Sequence, residues 1–108
     1  MHQVNVSGTT ARVDLRLIEV FCRVYRHRSF TRAARDLGLT QPTVSVHVKE
    51  LEESLGIPLF ERLGLEIRPT EAGRFLYEHA ETVFAAKLHL AEKMAAFLNR
   101  MEGQLTTV

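Results

Sequence analysis

The segment from Thr40 to Lys49 places amide, hydroxyl and basic side chains on the outward side of a predicted helix. At 100° per residue, Val44, Val48 and Leu51 fall on one apolar face, and Val46 points the opposite way. An amide can pair with two atoms of an adenine, an apolar group can contact a thymine methyl, and hydroxyl or ammonium groups can bind phosphates. The segment therefore has the chemistry needed to recognise duplex DNA.

Individual roles follow from these side-chain types. Gln41 is expected to pair with adenine, which is worth about 1–3 kcal/mol of base discrimination. Val46 and the Thr43 methyl group suit thymine methyls, and Lys49 suits a phosphate, as do Thr40 and Ser45. His47 is either a contact to DNA or an ordinary exposed histidine. Arginines in neighbouring segments could equally be solvated, but together they would form a positive rim. The predicted DNA-binding residues are Thr31, Arg32, Arg35, Thr40, Gln41, Pro42, Thr43, Ser45, Val46, His47, Lys49, Arg62 and Arg68.

Two short helices joined by a tight turn would position these groups. Within residues 29–56, Gly38 suits the C-terminal cap of the first helix. Thr40 suits the N-terminal cap of the second, and Pro42 lies in its first turn, where a missing N–H costs nothing. This pattern predicts a helix-turn-helix over about residues 30–49.

The flanking segments complete a mainly α fold, a winged helix-turn-helix followed by a long helix. A first helix is predicted from Asp14 to about His27, and Pro58 and Pro69 bracket a small hairpin, or wing. The expected layout is a disordered lead-in over residues 1–13, the DNA-binding domain over 14–70, a linker or dimerisation helix over 71–101, and a disordered tail over 102–108.

The predicted long helix carries more apolar surface than one small domain needs. Its main stripe, broken at Lys87, has three- and four-residue spacing typical of paired helices. Homodimerisation through its distal two-thirds is the favoured interpretation, and folding back onto the domain is the alternative. The predicted dimerisation residues are Leu76, Ala80, Val83, Leu90, Met94, Phe97 and Met101.

Charge and composition narrow the function classes. Residues 12–49 contain eight Lys/Arg and three Asp/Glu, a net of +5, whereas the whole chain carries +1. A basic front half favours a nucleic-acid partner. The sequence contains no HExxH, Walker, GxGxxG or GxSxG motif, so no enzyme activity, metal or cofactor is predicted. Cys22 is expected to be a buried thiol. No signal peptide or membrane-spanning run is evident, so a cytoplasmic location and no membrane partner are expected.

The same residues resemble the N-terminal domain of LysR-type transcriptional regulators. The matching residues are Phe30, Thr31, Arg32, Ala33, Ala34, Leu37, Thr40, Gln41, Pro42, Ser45, Leu51, Glu52, Leu55, Gly56, Leu59, Phe60, Arg62, Thr70, Glu71, Ala72 and Gly73. The resemblance implies a prokaryotic homodimer on partly palindromic promoter DNA, with linker helices paired antiparallel.

The resemblance also has limits. The family's usual effector-binding domain is not in this sequence, so no small-molecule site is expected in this chain. An excised fragment is favoured over a naturally short relative. Val46 stands where family members often have arginine, and Leu65 and Glu66 stand where the wing is often basic. These departures imply an operator different from those of relatives. The competing interpretation is a protein-interaction module whose long helix is the functional part.

Overall fold

The computed structural model describes the backbone of residues 4–6, 9–11 and 13–106, and the side chains of residues 13–104. Three helices follow one another: α1 (Leu15–His27), α2 (Phe30–Leu37) and α3 (Gln41–Leu55). Side chains at their N-termini accept hydrogen bonds from the first-turn backbone, as such caps require. The three capping residues are Asp14, Ser29 and Thr40. The predicted helix-turn-helix is confirmed, with α3 continuing to Leu55.

Left-handed backbone conformations end the first two helices. Gly38 has φ of 68° after α2, and its N–H bonds back to the last turn of that helix. Arg28 has φ of 52° after α1, and its N–H donates to the Val24 carbonyl at 2.7 Å. Glycine is the usual residue in this conformation because a Cβ is disfavoured there. An arginine at such a position is therefore an exception to the general preference.

The wing is a two-stranded antiparallel hairpin of β3 (Phe60–Leu63) and β4 (Glu66–Pro69). Gly64 turns the chain between the strands with φ of 63°. The Glu52 carboxylate of α3 accepts hydrogen bonds from the backbone N–H groups of Leu59, at 2.7 Å, and Phe60, at 3.3 Å. This carboxylate therefore fixes the start of the wing to the second helix of the helix-turn-helix.

The core lies between the three helices and the base of the wing. Phe21, Val44 and Leu51 have no exposed surface, and Leu59 has 1%. The Phe60 ring lies 5.3 Å from that of Phe21. Cys22 is buried, as predicted. Burying such side chains contributes roughly 1.5–3 kcal/mol each, so this apolar cluster is the main source of stability.

The last helix, α4, runs from Glu71 to Thr106. Thr70 caps it: its Oγ1 accepts from the Gly73 N–H at 3.0 Å and donates to the Pro58 carbonyl at 2.8 Å. The chain divides into two units, Met1–Tyr77 and Glu78–Val108. The first unit thus includes the beginning of α4 as well as the residues that were predicted to form the DNA-binding domain.

At both chain ends, the described residues have secondary structure where the expected layout had none. Strands β1 (Val4–Val6) and β2 (Thr9–Ala11) pair antiparallel where a disordered lead-in was expected. Valine and threonine favour extended backbone, which is consistent with these two strands. The helix α4 passes Gly103 and reaches Thr106, because one glycine costs a helix only about 1 kcal/mol. Residues 1–3, 7–8, 12 and 107–108 lie outside the described backbone.

Candidate nucleic-acid interface

The first turns of α3 hold their polar side chains in place before any partner is present. The hydroxyl oxygens of Thr40 and Thr43 lie 2.8 Å apart. The Gln41 amide donates to the Ser45 Oγ at 2.9 Å, which joins two predicted contact residues one helical turn apart. The Gln41 side chain is exposed. Such local hydrogen bonds restrict the rotamers of the amide, which reduces the entropy that a base contact would cost.

The outward face of α3 is apolar at its centre. Val44 and Val48 are buried, with 0% and 2% of their surface exposed, so they fix the orientation of the helix. Val46 points outward and is 57% exposed. Lys49 and Glu50 are also exposed. The exposed face therefore changes from polar and apolar groups in its first half to acidic groups at Glu50 and beyond.

Two surface clefts border this face. One, the α3 cleft, lies between the helix and the wing. Its lining residues are Ser45, Val46, Val48, Lys49, Glu52 and Arg62. The other, the α2 cleft, lies where α1, α2, α3 and the wing approach one another. Its lining residues are His27, Arg28, Ser29, Phe30, Thr31, Arg32, Gln41, Arg62, Gly64, Leu65 and Ile67.

The α2 cleft is strongly basic. Its lining residues include three arginines and a histidine, and they include no aspartate or glutamate. Arg62 lies on both clefts, and its guanidinium carbon is 4.5 Å from the centre of the Phe30 ring. A cation held over an aromatic face keeps its N–H donors directed along the surface. Arg62 thus connects the basic α2 cleft to the α3 cleft, which Lys49 and the Glu52 carboxylate line beside the exposed face of α3.

The structure brings together only part of the predicted set. Thr31, Arg32, Gln41 and Arg62 meet in the α2 cleft, and Ser45, Val46 and Lys49 meet Arg62 in the α3 cleft. Six predicted residues line neither cleft: Arg35, Thr40, Pro42, Thr43, His47 and Arg68. The exposed ones among them, such as Pro42 and Arg68, remain predictions of direct contact outside the clefts.

His47 differs from the other predicted contacts. Its ring is only partly exposed, and its Nδ1 is buried without a hydrogen-bond partner in the structure. On the helical wheel it lies beside Thr43 and Glu50, on the flank of α3 away from Gln41 and Ser45. This placement favours a peripheral role for the histidine over a central one.

Two site residues were not predicted from the sequence. Arg28 lines the α2 cleft. Glu52 lines the α3 cleft and accepts hydrogen bonds from the wing backbone. A basic residue directly before the Ser29 cap was the available signal for Arg28. The role of Glu52 depends on long-range packing, so helical spacing alone does not reveal it.

A carboxylate joins α2 to α1 beside the basic cleft. Asp36 accepts a hydrogen bond from Arg23 at 2.9 Å, and its Oδ2 lies 3.2 Å from His27 Nε2. The hydrogen bond with His27, and then that with Arg23, lowers the pKa of the Asp36 carboxyl below its ordinary 3.8. The ionised carboxylate thus ties together the two helices that frame the α2 cleft.

The predicted dimerisation residues differ in their availability. Leu76 is half-buried, and Ala80 is buried, with only 4% of its surface exposed. The remaining residues of the stripe are each 41–62% exposed, an unusual density of large apolar side chains on one helix. They are Val83, Leu90, Met94, Phe97 and Met101.

Comparison with known proteins identifies the class to which this fold and site belong. The sequence pattern described as "Bacterial regulatory helix-turn-helix protein, lysR family" matches residues 15–74, more than half of the chain. The chain belongs to this LysR family of bacterial regulators. This confirms the resemblance noted from the helix-turn-helix and wing residues, and it agrees with the observed winged helix-turn-helix fold.

Particular relatives support the assignment. The chain is 43% identical over 91 residues to the transcriptional regulator CbbR of Rhodospirillum rubrum, covering 84% of this chain and 30% of CbbR. A BenM DNA-binding domain, solved with catB site 1 DNA, has a TM-score of 0.67 and 33% identity, with coverage of 83% and 96%. A CbnR DNA-binding domain, solved with DNA, has a TM-score of 0.72 and 26% identity, with coverage of 80% and 99%. The chain thus spans about a third of CbbR.

The family assignment also bears on the excluded functions. The matched relatives are transcription regulators, which confirms the prediction that this chain is not an enzyme. Within the described residues, no group of three His, Cys, Asp or Glu side chains could hold a metal ion. Within the same residues, no helix is long and apolar enough to cross a bilayer.

Proposed function

We propose that the chain binds double-stranded DNA sequence-specifically, with the N-terminal half of α3 in the major groove. The observation that carries the proposal is that Gln41 lines the basic α2 cleft with Arg32, and that Arg62 links this cleft to the α3 cleft, which Val46 lines. The DNA complexes of the BenM and CbnR domains, which share this fold, support it. Bacterial transcription regulation, and therefore a cytoplasmic, nucleoid-associated location, belongs to the same proposal.

The distribution of charge favours entry by the N-terminal end of the helix. Phosphates line both edges of the major groove and repel carboxylates. Glu50 and Glu53 are exposed in the second half of α3, whereas the exposed first half has no acidic residue. Insertion from Thr40 toward Lys49 would therefore keep the carboxylates outside the groove. The same geometry would bring Val46 against a base edge, where a thymine methyl is its natural partner.

A second copy of the chain is the proposed partner of α4. Val83, Leu90 and Met94 are exposed at seven- and four-residue intervals, the pattern of a helix that packs against another helix. Pairing two such helices would remove these side chains from water and would present two identical α3 helices to one duplex. Two heads related by a twofold axis would then contact half-sites about 34–36 Å apart, or at a multiple of that spacing.

Mutations in α3 test the DNA proposal. Duplexes are first selected from a random pool by mobility shift. Gln41→Ala should then reduce the preference for the selected duplex over a scrambled duplex by about 1–3 kcal/mol per half-site, leaving the salt dependence intact. Lys49→Ala should weaken binding to both duplexes equally. It should reduce the salt slope by about 1.8, because the proposed dimer carries two copies of Lys49. Equal loss on both duplexes for Gln41→Ala would contradict its role in base recognition.

Paired substitutions in α4 test the role of the dimer. Val83→Glu with Leu90→Glu should convert the chain to a monomer in sedimentation equilibrium and abolish binding to paired half-sites. Ala85→Glu with Ala96→Glu is the matched control, because it adds the same charge on the opposite, exposed face of the helix. If the Val83/Leu90 variant is monomeric yet binds the selected duplex as tightly as the wild type, the paired half-site proposal is wrong.

A further inference from the structure

The α2 cleft contains a basic residue whose backbone conformation is unfavourable for its type. Arg28 has φ of 52°, and among the residues from 13 to 106 it alone combines a positive φ with a side chain. Left-handed geometry disfavours a Cβ, so the fold by itself would favour glycine there. A residue that persists at such a position despite strain is a candidate for a functional role.

The Arg28 side chain is held by its surroundings. Its guanidinium carbon lies 4.4 Å from the centre of the Tyr25 ring, and its Nη1 donates to the Tyr25 carbonyl oxygen. Tyr25 is in turn stacked on Tyr77, with ring centres 4.0 Å apart and an angle of 8° between their planes. The Arg26 Nε donates to the Tyr77 hydroxyl at 3.0 Å. The guanidinium is therefore held against a tyrosine ring that is itself stacked on a second tyrosine.

Donor capacity remains on this guanidinium. An arginine has five N–H donors, and the bond to Tyr25 uses one of them. The side chain is exposed and lines the α2 cleft together with Arg32 and Arg62. With no carboxylate among the residues that line the cleft, a phosphate is the chemistry that best complements these donors.

We propose that Arg28 binds a backbone phosphate of the DNA at the edge of the α2 cleft, and that the ring of Tyr25 orients it. This inference rests on the proposed DNA-binding function and adds a contact to it. A phosphate contact fixes the position of the head on the duplex without recognising its sequence. Arg28 should therefore contribute equally to the affinity for every duplex.

The test uses the full chain with two 30-base-pair duplexes, one selected by the wild type and one scrambled. Arg28→Gly should leave the melting temperature unchanged or raise it, because glycine fits the left-handed conformation. It should weaken binding to both duplexes by the same factor. Because the proposed dimer contains two copies of Arg28, the slope of log K against log salt should fall by about 1.8. Between 50 and 200 mM KCl, the affinity of the wild type should accordingly fall by a factor about 12 times larger than that of the variant.

Two control variants separate a phosphate contact from the effects of backbone strain and of net charge. Arg28→Lys keeps the charge and the strained backbone, so it should retain the wild-type slope. Arg16→Gln removes one positive charge at the start of α1, where the Arg16 side chain is 87% exposed. It should retain the wild-type slope as well, since Arg16 lies outside both clefts.

Three results would overturn the inference while leaving the proposed function intact. The first is an unchanged salt slope for Arg28→Gly. The second is an equal reduction of the salt slope by Arg16→Gln, which would indicate an effect of net charge alone. The third is a lower melting temperature for Arg28→Gly, which would indicate a structural role. If the wild type binds no duplex, the proposed function itself fails, and the inference fails with it.

Discussion

The same glycine-to-alanine change should have opposite effects at two positions of α4. A Cβ built on Gly73 would lie 2.3 Å from the Leu59 carbonyl oxygen and 3.3 Å from its carbon. Both neighbours are backbone atoms, and the oxygen also accepts the Thr70 N–H at 3.0 Å. A Cβ built on Gly103 would meet nothing within 4 Å. Gly73 is therefore required for close approach of α4 to the wing, whereas Gly103 is not.

The expected magnitudes follow from these distances. Separating the Gly73 Cβ from the Leu59 oxygen to an ordinary contact requires a backbone shift of about 1 Å. Overpacking of this kind costs about 1–3 kcal/mol, and weakening the Thr70 hydrogen bond costs about 1 kcal/mol more. The higher helix propensity of alanine offsets about 1 kcal/mol of this cost. Gly73→Ala should therefore destabilise by about 1–3 kcal/mol, whereas Gly103→Ala should be neutral or stabilising by up to about 1 kcal/mol.

Urea unfolding followed by circular dichroism measures both effects. Protein concentration must be the same for every variant, because association would shift the apparent stability. Gly73→Ala should move the midpoint to lower urea with the slope unchanged. If Gly73→Ala is as stable as the wild type, or if both variants shift the urea midpoint alike, helix propensity governs both positions. The claim that Gly73 is required for the close approach of α4 to Leu59 would then be wrong.

Two further predictions concern carboxylates that join elements of the head. Glu52→Ala should destabilise the fold by about 2–4 kcal/mol, because it removes a charged acceptor from the N–H groups of Leu59 and Phe60. The control Glu53→Ala changes an exposed residue of the same helix and should stay within about 0.5 kcal/mol of the wild type. Equal losses in the two variants would contradict the wing-anchoring role of Glu52. Asp36→Asn should destabilise the fold at pH 7. The difference in unfolding free energy from the wild type should shrink as the pH falls below about 3.8, since a lowered pKa stabilises the fold only while the carboxylate is ionised. A difference that is independent of pH in urea titrations from pH 2 to 7 would exclude the charge as its source.

Local sequence signals were sufficient to predict the helix-turn-helix. Thr40, Pro42 and Gly38 act within one or two helical turns, and caps of this kind operate independently of the rest of the fold. The wing was also predictable, because Pro58 and Pro69 exclude a continuous helix. The side chains of Gln41 and Ser45 then had to lie one turn apart on α3, and the structure joins them by a hydrogen bond.

Features that depend on distant contacts could not be predicted in this way. The Glu52 anchor links residues seven and eight positions apart in the chain, across the end of α3. Ala80 fits the apolar stripe of α4 by spacing, yet its burial depends on packing. Arg28 has a left-handed backbone conformation, which a glycine in the sequence would have suggested but an arginine does not. The interface is therefore larger on its basic side than residue types alone indicated.

The most direct measurement of the central claim is selection of duplexes from a random pool by the intact chain, followed by mobility shift at several salt concentrations. We expect enrichment of duplexes with two related half-sites, centred about 10–10.5 base pairs apart or at a multiple of that distance, bound more tightly than scrambled DNA. Affinity should fall steeply with salt. If no duplex binds more tightly than bulk DNA even at low salt, the chain does not recognise DNA by sequence, and the proposed role of α3 is wrong.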